Sequence, residues 1–161
     1  MKPVIAAITG QENTDDLTSS HTALSQFYHA FNTGDMNKMT KNWAQTSDIA
    51  IANPLGGIKR GWPAIRAVYE GIFEGSASVY VEYFDYMLHE TEDMFYSTGR
   101  ERGYFRVDNV EITLAIRTSR IYRKIGGFWQ QVHHHGSIDD PQLLAKYQFA
   151  VMGDHQRRRA N

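Results

Sequence analysis

The segment 118–137, TSRIYRKIGGFWQQVHHHGS, constrains the fold more than any other stretch of the chain. It predicts a β-hairpin, because Gly126-Gly127 suits a tight turn between two arms of alternating pattern. Successive side chains of a strand point to opposite faces of a sheet. One face of the second arm is therefore expected to carry Trp129, Gln131, His133, His135 and Ser137. The opposite face is expected to carry Phe128, Gln130, Val132 and His134.

The first arm of this hairpin carries an apolar row that a single arginine interrupts. The row consists of Val110, Ile112, Leu114, Ile116, Thr118, Arg120 and Tyr122. A buried guanidinium is costly unless an anion pairs with it. Arg120 therefore predicts one of two arrangements. It forms an internal ion pair with Glu82 or Glu101, or it binds a ligand carboxylate, which the planar guanidinium fork suits.

His133 and His135 stand two residues apart and are expected on one face of the strand. They are candidates for acid–base catalysis, because an imidazole titrates near neutrality. They are equally candidates for hydrogen-bonded lining of a pocket. A metal ion would need at least a third ligand. His89 and Glu101 are available for that role, but no spacing supports either, and we predict no metal site.

Composition excludes several classes of function. The chain has 161 residues and a formal net charge of −1, so it lacks the basic surface that nucleic-acid binding requires. The absence of cysteine excludes disulfides and thiolate chemistry and fits a reducing compartment. No apolar run has the length of a signal peptide or a membrane span. We expect a cytoplasmic protein with no membrane partner, and no glycine-rich phosphate loop indicates a nucleotide cofactor.

The order of periodic segments predicts an α+β fold. Helical spacing predicts three helices before residue 75, and period-two alternation from residue 78 onward predicts four long strands. The helices should cover one face of a curved, mixed, mostly antiparallel sheet. We expect a flexible arm over residues 1–17, one domain over residues 18–152 and a basic tail over residues 153–161.

The strand expected near residues 79–88 is apolar on both faces, which has a consequence for assembly. A strand of this kind is usually covered on both sides. The helices can cover one side of the sheet. We therefore predict a homodimer that forms through the outer face of the sheet.

Four short motifs follow one another along the chain: FNTGD at 31–35, NPLGG at 53–57, GWPAI at 61–65 and GGFWQQVHHHGS at 126–137. In this order they resemble the nuclear transport factor 2-like superfamily, also called SnoaL-like, over residues from about 20 to 138. The resemblance implies a cone-shaped fold with a pocket inside the cone.

The last two strands are most similar to the association domain of calcium/calmodulin-dependent protein kinase II. That family places an arginine after a threonine and follows it with a GxW…HxHxS strand. The matching residues here are Arg120, Trp129, His133, His135 and Ser137. Arg100 stands where the family carries a second arginine. The resemblance implies a deep pocket that accepts carboxylates and a tendency to assemble.

Ketosteroid isomerase is a further relative, and its catalytic residues are replaced in this chain. The position of its aspartate base is Asn53, and an amide cannot accept a proton at neutral pH. The position of its helix tyrosine is Phe27, which has no hydroxyl. Its protonated aspartate falls near Ser119. The resemblance therefore argues against steroid isomerisation by that mechanism.

Together these observations predict a homodimeric domain that binds a small molecule without a cofactor, and the arginines suggest an anionic ligand. The expected site residues are Arg100, Arg120, His133, His135, Asn53, Trp43 and Tyr69. Trp43 and Tyr69 lie in helical apolar stripes, which also suit simple core packing. The alternative is a SnoaL-like enzyme (isomerase, dehydratase or cyclase) in which His133 or His135 carries the proton. A third class is a pure assembly module.

Overall fold

A computed structural model describes the backbone of residues 2–160 and the side chains of residues 2–153. The helices are α1 (Ser20–Thr33), α2 (Met36–Asn42), α3 (Trp62–Phe73) and α4 (Pro141–Ala160). The strands are β1 (Ala50–Ala52), β2 (Lys59–Arg60), β3 (Ser78–Glu90), β4 (Met94–Val107), β5 (Val110–Ile125) and β6 (Phe128–Ser137). None of the helices, as far as they are described, is long and apolar enough to cross a membrane.

The strands form one sheet in the order β2-β1-β6-β5-β4-β3. β1 runs parallel to β6, and every other neighbouring pair is antiparallel. Gly126 and Gly127 make the predicted turn between β5 and β6 with φ of 60° and 88°, the left-handed values that a two-residue hairpin loop favours. The predicted α+β fold, with helices packed on a curved, mixed, mostly antiparallel sheet, is confirmed.

Local sequence signals set the ends of the helices. Gly34 ends α1 in the left-handed conformation (φ 69°), and its N–H bonds back to the carbonyls of the last turn. Asp35 then caps α2 by accepting a hydrogen bond of 2.9 Å from the N–H of Lys38. Pro63 occupies the first turn of α3, where its missing N–H is not needed. α1 and α2 are consequently joined by only two residues, Gly34 and Asp35.

The core lies between α1 and the face of the sheet that the helices cover, called the inner face below. Tyr28 of α1 stacks on Tyr83 of β3 with ring centroids 5.6 Å apart, and both rings are buried. Near the β5–β6 turn, Phe95, Tyr122 and Trp129 fill the inner face with stacked and edge-on contacts. This aromatic packing closes one end of the sheet, so open space remains toward the β4–β5 turn.

A β-bulge in β6 changes which side chains of that strand face inward. Ile121 pairs with His133, but its neighbour Tyr122 pairs with Gln131, which leaves Val132 without a partner in the ladder. The extra residue shifts the alternation of side chains by one position. Gln131 and His134 therefore both face inward, and the single-face grouping of Gln131 with His133 that the sequence predicts is wrong.

The N-terminal segment lies against the domain, in contrast to the flexible arm that the sequence predicts for residues 1–17. The N–H groups of Val4 and Ile8 donate to the carbonyls of Tyr86 and Tyr83 in β3, each at 2.7 Å. Partial burial raises the pKa of Glu12, but hydrogen bonds from Thr9 and from Ser25 of α1 outweigh it and lower that pKa to about 2. The segment thus covers part of the edge of β3.

The C-terminal segment forms a helix of 20 residues that extends past residue 152, the predicted end of the domain. α4 begins at Pro141, after Asp140 accepts hydrogen bonds from the N–H groups of Gln142 and Leu143. Its backbone continues to Ala160. The predicted basic tail over residues 153–161 overlaps the end of this helix, but its side chains from residue 154 onward and the whole of Asn161 lie outside the described residues.

Candidate functional site

A cavity of about 630 Å³ lies on the inner face of the sheet, between α1, α3, α4 and the long strands. Apolar side chains make most of its wall, including Phe31, Val79, Val81, Leu114 and Ile116. The loop of residues 53–57 forms part of the rim, and α4 contributes Tyr147 and Val151. The polar or charged side chains on the wall are Asn53, Lys59, Tyr69, Glu101, Arg120, His134 and Tyr147.

Arg120 lies at the polar end of this cavity and is 1% exposed. Its Nη2 donates to Oε1 of Glu101 at 2.8 Å, its Nη1 donates to Oε1 of Gln131 at 2.8 Å, and its Nε donates to the Tyr28 hydroxyl at 3.2 Å. Its guanidinium carbon also lies 3.6 Å from the centre of the Phe27 ring, a close cation–π contact. Of the two predicted arrangements, the structure has the internal ion pair with Glu101.

The ion pair and the tyrosine form one hydrogen-bonded cluster. The Tyr28 hydroxyl donates to Oε1 of Glu101 at 2.6 Å. Burial raises the pKa of Tyr28 well above its ordinary value, so this hydroxyl stays protonated. Burial alone would lower the pKa of Arg120, but Tyr28 and Glu101 raise it instead. The cluster therefore consists of the Arg120 guanidinium and the Tyr28 hydroxyl, both donating to the same carboxylate oxygen of Glu101.

His134 is the histidine that reaches the cavity, and it is 7% exposed. Its ring stacks on Phe27 with centroids 6.4 Å apart, and it is paired across the sheet with Arg120. Burial and the nearby Arg120 cation lower its pKa well below the ordinary histidine value, so the ring is neutral. Its Nδ1 is enclosed without a hydrogen-bond partner among the described residues, and its Nε2 lies beside Gly136 of the cavity wall.

The two histidines proposed as site residues do not line the cavity. His133 is half-buried and His135 is exposed, and neither belongs to the cavity wall. The reason is the bulge at Val132, which turns both side chains to the face opposite His134. The placement of His133 and His135 in the pocket is therefore wrong, and the sequence pattern misses His134 because only the strand pairing reveals the bulge.

Arg100 also lies away from the cavity, contrary to the prediction. Its side chain is 59% exposed, and its Nε donates to Oδ2 of Asp85 at 3.1 Å. Adjacent residues of a strand face opposite sides, so Glu101 points inward where Arg100 points outward. The cavity thus contains one of the two predicted arginines and the carboxylate that neutralises it.

The remaining predicted site residues fall at the edge of the cavity or behind it. Asn53 is part of the rim, and its side-chain oxygen accepts a hydrogen bond from the N–H of Leu55 at 3.1 Å, as a turn residue does. Tyr69 belongs to the wall, and burial raises its pKa. Trp43 packs behind Tyr69 with centroids 6.2 Å apart and is not part of the wall.

The residues considered as candidate metal ligands do not lie together in the structure. Glu101 faces the cavity, whereas His133 and His135 face away from it, and His89 stacks on Tyr96 with centroids 4.7 Å apart. Within the described residues, no group of three histidine, aspartate or glutamate side chains is placed to hold a metal ion.

Comparison with known protein families identifies the family to which this chain belongs. The family model described as a SnoaL-like domain matches residues 21–141. The chain therefore belongs to the SnoaL-like domain family, within the nuclear transport factor 2-like superfamily. The match ends at the first residue of α4. A comparison with curated protein sequences finds no match.

Solved structures share the fold at low sequence identity. A proposed dehydratase of the NTF2-like family from Streptomyces avermitilis has a TM-score of 0.65 and 18% identity over 75% of this chain and 94% of that one. A proposed calcium/calmodulin-dependent protein kinase type II association domain from Thiobacillus denitrificans has a TM-score of 0.61 and 21% identity over 76% of this chain and 96% of that one. A proposed ketosteroid isomerase from Shewanella frigidimarina has a TM-score of 0.57 and 16% identity over 77% of this chain and 97% of that one.

Proposed function

We propose that this chain is a small-molecule-binding domain whose ligand occupies the cavity on the inner face of the sheet. The observation that carries the proposal is the combination of an apolar chamber of about 630 Å³ with a small polar end formed by Arg120, Glu101 and His134. Ligand sites in proteins have volumes of about 300–1,000 Å³ and combine apolar walls with a few placed polar groups. Membership of a family whose fold often holds small molecules agrees with this.

Filling the cavity tests the proposal. Ile116 is half-buried on the cavity wall, so the change Ile116→Trp should place a larger apolar side chain in the chamber. We expect calorimetric titration to detect saturable one-to-one binding of at least one of naphthalene, β-naphthol, β-acetonaphthone and β-naphthoate by the wild type. That binding should be lost in Ile116→Trp and kept in Val110→Trp, which adds the same ring at an exposed position. Binding that survives the filled cavity contradicts the proposal.

A homodimer through the outer face of the sheet is the second part of the proposal. That face carries aromatic rings and arginines rather than a plain polar surface. Tyr80 and Tyr104 stack with centroids 5.9 Å apart, and the guanidinium of Arg102 lies 4.4 Å from the centre of the Phe84 ring. Aromatic residues and arginine are enriched at protein–protein interfaces.

An enzyme of the isomerase, dehydratase or cyclase type is the alternative function. One observation favours it: Glu101 and His134 both belong to the cavity wall and can exchange protons with a bound molecule. Such enzymes remove a proton beside a carbonyl, so exchange of the α-protons of β-tetralone in deuterated water is a direct assay. We would expect exchange above background that is abolished in His134→Gln and retained in His135→Gln. Background exchange by the wild type argues for binding alone.

A further inference from the structure

The polar end of the cavity offers a carboxylate oxygen rather than an available guanidinium. All three nitrogens of Arg120 already donate hydrogen bonds to side chains of the chain itself. Phe27 covers one face of the guanidinium at 3.6 Å. Three of the five N–H groups of the guanidinium are thus used within the chain, and its charge is already paired with Glu101, so an anionic ligand gains no uncompensated cation here.

Glu101 is the charged side chain with an oxygen to spare. Its Oε1 accepts hydrogen bonds from both Tyr28 and Arg120, at 2.6 Å and 2.8 Å. Its Oε2 accepts none from the side chains and backbone described, is not among the enclosed unpartnered atoms, and belongs to a residue of the cavity wall. A carboxylate oxygen that is open to the cavity and has no donor within the chain can accept a charge-assisted hydrogen bond from a ligand.

The other groups on the wall add no second charge at this end. His134 is neutral, and its Nε2 can donate or accept a hydrogen bond depending on the tautomer. Lys59 lies at the exposed side of the cavity. The charges of Arg120 and Glu101 cancel, so a carboxylate brought to this end loses its hydration without gaining a net opposite charge.

We infer that the cavity selects neutral molecules with an apolar body and an alcohol or phenol hydroxyl, and that this hydroxyl donates to Oε2 of Glu101. The inference rests on the proposed function, because it names the class of ligand for the same cavity. It replaces the anionic ligand that the sequence predicts. His134 provides a second polar contact at the same end, and the apolar walls enclose the body of the ligand.

A matched set of probes tests the selection in the wild-type protein. β-Naphthol, β-naphthoate and naphthalene share one ring system and differ in the group that would reach Glu101. We expect calorimetric titration at neutral pH to give β-naphthol a dissociation constant at least tenfold lower than that of β-naphthoate. Naphthalene should bind more weakly than β-naphthol because it leaves Oε2 without a donor. Equal or tighter binding of β-naphthoate overturns the inference.

The change Glu101→Gln should reverse the preference. An amide removes the negative charge but keeps the shape, so the Arg120 charge is no longer cancelled. We expect affinity for β-naphthoate to rise at least tenfold and affinity for β-naphthol to fall. Glu70→Gln is the matched control, because Glu70 pairs with Arg66 at 2.6 Å on α3 and neither residue belongs to the cavity wall or to the outer face of the sheet. An unchanged ratio in a folded Glu101→Gln protein also overturns the inference.

The outcomes separate the inference from the proposed function. If Glu101→Gln fails to fold by circular dichroism, the wild-type ratio of β-naphthol to β-naphthoate decides the matter alone. If a probe binds in the cavity but the carboxylate is preferred, the chain is a binding domain and the ligand class is wrong. If no probe binds the wild type at all, both the inference and the proposed function are contradicted.

Discussion

At the scale of single residues, the balance of charge around Arg120 matters as much for stability as for ligand selection. Arg120→Met leaves Glu101 buried without its cation, and breaking a buried pair in this way costs about 3–5 kcal/mol. We expect urea unfolding to show a loss of that size in the free energy of unfolding. The double change Arg120→Met with Glu101→Gln should recover part of the loss, because no buried charge remains.

The control for this experiment is an exposed ion pair of the same type. Arg66 pairs with Glu70 at 2.6 Å on α3, and the arginine side chain is 47% exposed. Surface pairs contribute about 0–1 kcal/mol. Arg66→Met should therefore change the free energy of unfolding by no more than that amount. Similar losses for Arg66→Met and Arg120→Met would contradict the structural role of the buried cluster.

The neutral state of His134 makes stability depend on pH. Its pKa in the folded chain lies well below 6.5, whereas in the unfolded chain it returns to the ordinary value. Below that ordinary value the unfolded chain binds a proton that the folded chain does not, so stability falls as pH falls. One such group contributes a slope of up to about 1.4 kcal/mol per pH unit.

Urea unfolding between mildly acidic and neutral pH measures this slope. His134→Gln should reduce the slope of the free energy of unfolding against pH by the contribution of nearly one proton. The change removes the group that the folded chain keeps neutral. His135→Gln should leave the slope close to that of the wild type, since His135 is exposed. An equal effect of the two changes would contradict the arrangement in which His134 faces inward and His135 is exposed.

Residue patterns predict part of the site and miss the rest for one physical reason. The apolar row of β5 is enough to bury Arg120, and the cost of a buried cation is enough to require a partner such as Glu101. Which histidine faces inward depends on Val132, which has no partner in the strand ladder. The alternating pattern of the β6 sequence does not show that this residue is unpaired. The family resemblance placed Arg100 in the pocket, but strand phase turns it outward to Asp85.

At the scale of elements, α4 distinguishes this chain from the part that the family model describes. The match ends at residue 141, and α4 then supplies Tyr147 and Val151 to the cavity wall. Tyr147 packs edge-on against Phe105 with centroids 5.7 Å apart, and the amide of Gln148 donates to the carbonyl of Pro54 on the rim at 3.0 Å. α4 thereby closes one side of the chamber.

Weakening this closure should speed ligand exchange. The double change Tyr147→Ala with Gln148→Ala removes the packing and the hydrogen bond that hold α4 over the cavity. We expect the dissociation rate of β-naphthol, measured by stopped-flow fluorescence, to rise at least tenfold. Phe149→Ala is the control on the same helix, because Phe149 is 78% exposed. An unchanged rate in the double variant would show that α4 does not cover the ligand.

Element boundaries were largely predictable because capping signals are local. Gly34, Asp35 and Pro63 act through backbone conformation and hydrogen bonds within one turn. The position of residues 4–8 against β3 depends instead on the free edge of the sheet, which the sequence of the arm does not encode. The length of α4 depends in part on its packing against the cavity rim.

At the scale of the whole molecule, the outer face of the sheet is expected to be covered by a second chain. Light scattering coupled to size-exclusion chromatography should give twice the mass of one chain. Tyr104→Glu places a charge in the stacked Tyr80–Tyr104 pair and should yield a monomer, because a buried unpaired charge is costly at an interface. Lys41→Glu on α2 is the control. A monomeric wild type contradicts the proposed assembly.

The central claim is that an internally neutralised arginine leaves Glu101 as the group that receives a ligand hydroxyl inside an open chamber. A crystal structure of the protein with β-naphthol tests it most directly. We expect the naphthalene ring to lie between α3 and the sheet, with its hydroxyl oxygen within hydrogen-bond distance of Oε2 of Glu101 and with Arg120 still paired to Oε1. A chamber filled by protein side chains, or a guanidinium turned from Glu101 toward the ligand, would contradict it.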